Sequence, residues 1–229
     1  MTLGAMTAAV VLSAVSVHAD PPGRATLSGT VRLVLPKGAS SPASDSVVWV
    51  PGAARPAARS SVDPAAVASK GKRFDPHVLV VTRGTAVAFP NADPIFHNAF
   101  SRTPGSDFDL GLYRRGASRT FTFGAPGLVH VYCNIHAEMA AYVLVLDPED
   151  AFAVADGDGA FRLPALPAGR HVVHVWSEKG GEKELTVDLG AEGAAPLEIA
   201  LDASTYRPMP HKNKFGKDYP PATQGVDRY

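Results

Sequence analysis

The chain has 229 residues, enough for one large domain or two small ones with a hydrophobic core. Its formal net charge at pH 7 is zero, which argues against a nucleic-acid or other polyanion partner. Glycine (21) and proline (20) are frequent, and short β-branched runs take the place of long helical periodicity. The composition therefore predicts an all-β fold.

The chain opens with an apolar stretch from Ala8 to Val17, followed by small residues that fit a signal-peptidase site before Asp20. This stretch is too short to cross a bilayer, so no transmembrane segment is expected in the mature chain. No basic residue precedes it, since the first is Arg24. A buried core segment is the alternative, but we predict a cleaved signal peptide over residues 1–19 and a periplasmic or secreted protein.

Two strands are predicted next, over residues 26–35 and 46–50, within an N-terminal unit of residues 20–50. Residues 51–71 are rich in Ala and Pro and are predicted to be a linker. The linker could contain one short helix, with Asp63 as the N-cap and Gly71 as the stop.

The pattern becomes clearer after residue 72. Residues 77–81 and 85–89, separated by Arg83-Gly84, are predicted to form a hairpin. A loop over residues 90–101 leads into another strand, and a polar stretch follows over residues 102–118. Further strands are predicted at residues 119–123, 128–133 and 141–146, which close this unit at about residue 147.

Cys133 is the only cysteine. Cysteines of exported proteins usually form disulfide bonds, so an unpaired one is either a liability or a functional thiol. Strand alternation turns Val129, Val131 and Cys133 towards one face, the core. His136 and Met139 follow on a short turn between two strands, where their side chains can converge with the thiol.

A thiolate, an imidazole and a thioether form a soft ligand set, and a second histidine would complete a blue-copper site. His97, in a loop before a strand, is the best candidate. Zinc fits less well, because methionine is not among its usual ligands. Taken singly, Cys133 could be a structural thiol, Met139 a core residue and His136 a turn cap. Their combined spacing favours copper.

The segments "GLVHVYCNIHAEM" and "FDPHVLVVTRGTAVAFPNADPIFHNAFS" resemble the cupredoxins, the plastocyanin- and amicyanin-like blue copper proteins, over about residues 74–146. The resemblance implies a Greek-key β-sandwich at residues 72–147 that binds one type 1 copper ion. It also implies a set of residues around that ion: the ligands His97, Cys133, His136 and Met139, with Asn98 tying the two ligand loops together and Asn134 beside the cysteine.

Residues 148–202 resemble the carboxypeptidase-regulatory-like, or transthyretin-like, β-sandwich module, and about five strands are predicted there. The sequence "DGDG" predicts a tight turn. Strands in residues 20–50 would complete this smaller sandwich, although residues 47–50 could instead begin the copper sheet. The polar tail, residues 203–229, is expected to be loosely ordered or draped over a domain, with His211 in solvent.

These features predict a monomeric, exported one-electron carrier that serves an unidentified redox protein and is not an enzyme, because four protein ligands leave no open position for a substrate. Docking is expected at an apolar patch of Pro94, Ile95, Ile135 and Ala137 around the ligand loops. Two other functions stay open: copper handling as a chaperone or buffer, and a binding or scaffold protein with incidental copper.

Overall fold

The structure is a computed structural model that describes residues 23–53, 60–61, 64–208 and 210–219. The predicted signal peptide, the Asp63 helix cap and residues 220–229 of the tail lie outside the described residues. No helix in the described ranges is long and apolar enough to span a membrane.

The described residues form an all-β protein, as predicted, with one short 3-10 turn at Pro36–Gly38. The strands are β1 (Arg24–Val34), β2 (Ser40–Pro42), β3 (Val47–Val50), β4 (Ala68–Lys70), β5 (Arg73–Asp75), β6 (Val78–Thr82), β7 (Thr85–Pro90), β8 (His97–Thr103), β9 (Ser106–Tyr113), β10 (Ser118–Phe123), β11 (Gly127–Tyr132), β12 (Ala140–Leu146), β13 (Ala151–Val154), β14 (Ala160–Pro167), β15 (Gly169–Ser177), β16 (Gly181–Leu189) and β17 (Leu197–Asp202).

Most strands belong to four sheets. Sheet 1 has the order β14-β1-β17 with β2 paired to β1, and sheet 2 has the order β13-β3-β15-β16. Sheet 3, which carries the segment around Cys133, has the order β6-β12-β11-β8-β9. Sheet 4 consists of β10 and β7, while β4 and β5 form a small separate ribbon.

Among the described residues, three hydrophobic cores lie between these sheets and arrange them in layers. Core 1 joins side chains of sheets 1 and 2, such as Leu27 and Val175. Core 2 joins sheets 2 and 3 through residues such as Trp49 and Val80. Core 3 lies between sheets 3 and 4 and contains Cys133. The candidate metal site therefore lies between sheets 3 and 4, and sheets 2 and 1 follow in turn behind sheet 3.

Strands of the inner sheets are buried on both faces, which explains their continuous apolar sequences. In β3, Val48 and Val50 enter core 1 while Val47 and Trp49 enter core 2. Strand β6 likewise alternates between core 2 and core 3. Strands β6 and β12 of sheet 3 thus pack directly on sheet 2 through core 2.

The strands β1 and β3 pair with strands that follow residue 150, not with sheet 3. Strand β1 pairs with β14 and β17, and β3 pairs with β13 and β15. The alternative that residues 47–50 begin the copper sheet is therefore wrong. Strands β13 to β17 match the five predicted after residue 148, and Asp156 Oδ1 closes the "DGDG" turn by accepting the N–H groups of Asp158 and Ala160.

The predicted hairpin at Arg83-Gly84 is wrong. Strand β6 pairs with β12 in sheet 3, whereas β7 pairs with β10 in sheet 4. The turn instead carries the chain across core 3, because the apolar faces of both strands, with Leu79 and Phe89, point into that core. A hairpin would have placed both strands in one sheet.

Two further segments differ from the sequence prediction. The described residues 64–71 contain strand β4, which pairs with β5, and no helix. The polar stretch over residues 102–118 contains β9, paired with β8, whose inward side chains include Phe108 and Tyr113. Its aspartates and glycines lower the strand propensity of the sequence, but alternate positions still supply core residues.

Candidate metal centre

Cys133 lies directly after β11, on a loop that ends where β12 begins. Val129, Val131 and Cys133 all enter core 3, which confirms the predicted alternation, and the cysteine side chain is fully buried. Two backbone hydrogen bonds close the loop, from Cys133 N to Met139 O (3.1 Å) and from Met139 N to His136 O (3.2 Å). The loop therefore returns Met139 to the strand end that carries the thiol.

His97 is the first residue of β8 and is fully buried. Its Nε2 lies 2.8 Å from Asp93 Oδ2, while its Nδ1 faces the thiol, 3.9 Å from Cys133 Sγ. Since a carboxylate only accepts, Nε2 carries the proton and Nδ1 keeps its lone pair for a metal ion. Asp93 was not predicted, although a carboxylate four residues before the histidine is a usable sequence signal.

Backbone groups hold Asp93 in place. Its two carboxylate oxygens accept N–H groups of Gly71 (2.6 Å) and Lys72 (2.8 Å). Burial tends to raise the pKa of Asp93, but these backbone hydrogen bonds and the one from His97 keep it below its usual value. The carboxylate is therefore charged at neutral pH and orients the His97 ring.

His136 supplies the third donor. Its Nδ1 lies 3.5 Å from Cys133 Sγ, and its ring is 4.8 Å from that of His97, centroid to centroid. The candidate ligand atoms of His97, Cys133 and His136 all lie within 4.8 Å of one another. Met139 is fully buried in the same core. The structure thus brings three of the predicted ligands into one group and places Met139 in the same core, joined to Cys133 by a backbone hydrogen bond.

The electrostatics of the group suit a soft cation. Burial raises the pKa of the Cys133 thiol, an effect opposed by the backbone N–H groups of Ile135, Asn98 and His136. Burial also lowers the pKa of His97, against its hydrogen bond to Asp93. Without a metal ion, the thiol and this imidazole are therefore neutral at pH 7. A bound cation favours the thiolate, and two imidazoles with one thiolate suit copper.

Asn98 joins the two ligand-bearing segments. Its amide donates to Asp109 Oδ1 (2.7 Å) and to Gly111 O (2.9 Å), which fixes it to β9. Its Oδ1 accepts the backbone N–H of Asn134 (3.3 Å), the residue after the cysteine. Because Asn98 is fully buried and follows His97, it ties the His97 strand to the Cys133 loop.

The tail also reaches this loop. The ring of His211 stacks on Tyr132 with centroids 4.1 Å apart and an interplanar angle of 18°. The expectation that His211 is solvated is therefore wrong, whereas a tail draped over a domain is what the described part shows. Asn134 Oδ1 accepts the backbone N–H of Lys214 (3.0 Å). The sequence offered no signal for these contacts, which join residues about 80 positions apart.

The predicted docking residues differ in exposure. Pro94 and Ala137 are exposed, while Ile95 and Ile135 are half-buried. Phe96, which was not predicted, is 40% exposed. Strand alternation could have found it, because a buried His97 turns the preceding side chain outward.

No protein-family model and no curated protein matches this chain. Among solved structures it is similar to two mutants of amicyanin in the Cu(I) form, each at 19% identity and a TM-score of 0.34. These alignments cover 35% and 37% of this chain and 80% and 84% of the amicyanin chains. It is also similar to a copper-containing nitrite reductase from Thermus scotoductus SA-01, at 27% identity and a TM-score of 0.35. That alignment covers 43% of this chain and 27% of the reductase chain.

Proposed function

We propose that this protein is an exported type 1 copper protein that carries single electrons to a redox partner. One observation carries the proposal: His97 Nδ1, His136 Nδ1 and Cys133 Sγ converge within 4.8 Å at one end of core 3. A bound copper ion would supply one-electron chemistry between Cu(I) and Cu(II). The N-terminal apolar stretch is the reason to propose export.

The protein's own residues would keep the site rigid and dry. Asp93 fixes the orientation of His97, and Asn98 fixes the distance between the His97 strand and the Cys133 loop. His97, Cys133 and Met139 are each fully buried, so water is excluded on the core side. A rigid, water-excluding frame limits reorganisation when the charge of the site changes, which favours fast electron transfer. With Met139 as fourth ligand no open position is left, so we propose that the protein is not an enzyme.

We further propose a domain organisation in which residues 72–147 are the copper unit, inserted between residues 20–50 and 148–202. Support comes from the strand pairing, because β1 and β3 join the strands of the later segment. Core 2 would then be the interface that holds the copper unit against sheet 2.

Copper delivery is a second candidate, favoured by the partial exposure of His136. His97 and Cys133 are fully buried, whereas His136 is half-buried on the loop and could be reached by an accepting protein. The test combines voltammetry with Cu(I) transfer to a chelator. A reversible one-electron wave with slow transfer supports the carrier, while rapid transfer without a stable wave supports delivery and contradicts the carrier.

Met139→Leu tests the proposed axial thioether. The change conserves volume in a buried position, so it should cost less than about 1.5 kcal/mol of unfolding free energy. Loss of the thioether should weaken Cu(II) binding more than Cu(I) binding, which raises the reduction potential. A tenfold difference corresponds to about 59 mV for one electron, measurable by protein-film voltammetry. An unchanged or lowered potential would remove Met139 from the ligand set.

Ile135→Lys tests the proposed docking patch. Ile135 is half-buried next to His136, so a lysine there adds a charge where the partner should exclude water. We expect the bimolecular electron-transfer rate to fall about tenfold with an unchanged copper spectrum, measured by stopped flow with the native partner. The matched control is Val172→Lys, on β15 and 46% exposed, which should leave the rate unchanged. Equal rates for both variants and the wild type would place the electron exit elsewhere.

A further inference from the structure

The described tail beyond β17 returns to the loop that carries Cys133. The hydroxyl of Tyr219 donates to the backbone carbonyl of Cys133 at 2.6 Å. The backbone N–H of Lys214 donates to Asn134 Oδ1 at 3.0 Å. Two consecutive residues of the ligand loop are therefore held by residues of the C-terminal segment, which we define as residues 210–219.

The C-terminal segment is itself fixed to the site through Lys214. Its Nζ lies 2.6 Å from Asp109 Oδ2, and its carbonyl accepts a hydrogen bond from Arg102 Nη2 (3.2 Å). Asp109 also accepts from Asn98, the residue that ties the two ligand-bearing segments together. Burial tends to raise the pKa of Asp109, but hydrogen bonds from Lys214, Gly111 and Asn98 keep it below its usual value, so the carboxylate is charged at neutral pH.

Aromatic contacts also link the C-terminal segment to the end of β11. His211 stacks on Tyr132, and Tyr219 meets His211 edge to face with centroids 5.2 Å apart. The Tyr219 oxygen lies 3.2 Å from His211 Nδ1, so the two rings support each other. Tyr132 directly precedes Cys133, so this stack lies at the end of β11, next to the ligand loop.

We propose that the C-terminal segment clamps the ligand loop, with Tyr219 as the positioning residue that holds the backbone of Cys133. The clamp would limit local opening of the loop and so slow both exposure of the thiol and loss of a bound metal ion. The part that concerns metal loss rests on the function proposed above; the part that concerns the thiol does not. The free energy of local opening at a loop depends on only a few contacts. Loss of one hydrogen bond there should therefore change the rate of opening measurably.

The test compares Tyr219→Phe with Tyr206→Phe. Each removes one hydroxyl from a tail tyrosine, but Tyr206 donates to the side chain of Glu178 (Oε1, 3.0 Å) rather than to the backbone of Cys133. In the metal-free, full-length protein the readout is alkylation of Cys133 by iodoacetamide under native conditions. Because Cys133 is fully buried, alkylation needs the loop to open. We expect about fivefold faster alkylation of Tyr219→Phe and no change in Tyr206→Phe, as one net hydrogen bond predicts.

A second readout is the rate at which Cu(I) passes from the loaded protein to a chelator, and we expect the same roughly fivefold increase in Tyr219→Phe. Equal alkylation rates in Tyr219→Phe and the wild type would overturn the clamp. Equal acceleration in both variants would also overturn it, because the effect would then be general destabilisation. A wild-type protein that binds no copper would contradict the proposed function instead, while the alkylation rates would still decide on the clamp.

Discussion

Replacing Cys133 with serine should abolish the visible colour and the redox activity of the copper-loaded protein. The thiolate is the soft donor on which an intense thiolate-to-Cu(II) absorption depends, and a hydroxyl cannot replace it. Because the side chain is fully buried and nearly isosteric with serine, the fold should persist with a loss of about 1–2 kcal/mol of unfolding free energy. Absorption spectroscopy and denaturant unfolding check the two effects separately.

The matched control for this substitution is His130→Gln, on the strand that ends directly before Cys133. His130 lies one residue beyond Val129 and points away from core 3, with its Nδ1 3.0 Å from the Tyr132 hydroxyl. The control should keep the absorption band. If Cys133→Ser keeps it as well, the colour does not come from this thiolate and the proposed site is wrong.

Asn98→Ala should give the largest loss of stability among the changes near the site. It removes three hydrogen bonds, to Asp109, to the Gly111 carbonyl and from the Asn134 N–H, at a fully buried position. Leaving buried partners unsatisfied costs more than the bonds themselves contribute, so we expect a loss of about 3 kcal/mol of unfolding free energy. Chemical denaturation of the metal-free protein measures it.

Asn134→Ala provides the comparison. Asn134 is half-buried, and its side chain accepts one hydrogen bond, from Lys214. Its removal should cost only about 1 kcal/mol. Because Asn98 also sets the distance between the ligand-bearing segments, its variant should in addition bind copper more weakly than Asn134→Ala does. Equal losses of stability in the two variants would show that Asn98 does not tie the segments together.

Local sequence patterns predicted the features of the site that depend on residues close together in the chain. Alternation along β11 turned Val129, Val131 and Cys133 towards core 3, and a short loop between two strands predicted that His136 would lie close to the thiol. His97 could be chosen because the chemistry needed a second imidazole and one histidine preceded a strand. These inferences depend on side-chain direction within a few residues, which strand geometry determines.

Strand pairing and layering could not be predicted in the same way. The sequence around Arg83-Gly84 fits a tight turn whether the two strands pair or cross a core, and only the partners β12 and β10 decide between these outcomes. Likewise, the sequence did not predict β9, because its outward-facing residues are polar. Only its inward-facing residues, such as Phe108 and Tyr113, have the apolar character of a strand. Such choices depend on contacts between residues far apart in the chain.

The contacts of the tail with the candidate site could not be predicted for the same reason. Tyr219 and Cys133 are 86 positions apart. Nothing in the sequence around either residue indicates that the Tyr219 hydroxyl donates a hydrogen bond to the Cys133 carbonyl. Asp93 lies at shorter range, four residues before His97, but its role depends on the backbone of Gly71 and Lys72 across the site. Sequence patterns thus predicted the candidate ligands better than the groups that hold them.

A titration of the wild-type protein with Cu(II), followed by its visible absorption spectrum, is the decisive test of the proposed type 1 site. We expect an intense orange-red band that saturates at one copper ion per chain and bleaches on addition of a mild reductant. A protein that binds Cu(II) without this band, or that binds no copper, would contradict a type 1 site formed by His97, Cys133, His136 and Met139.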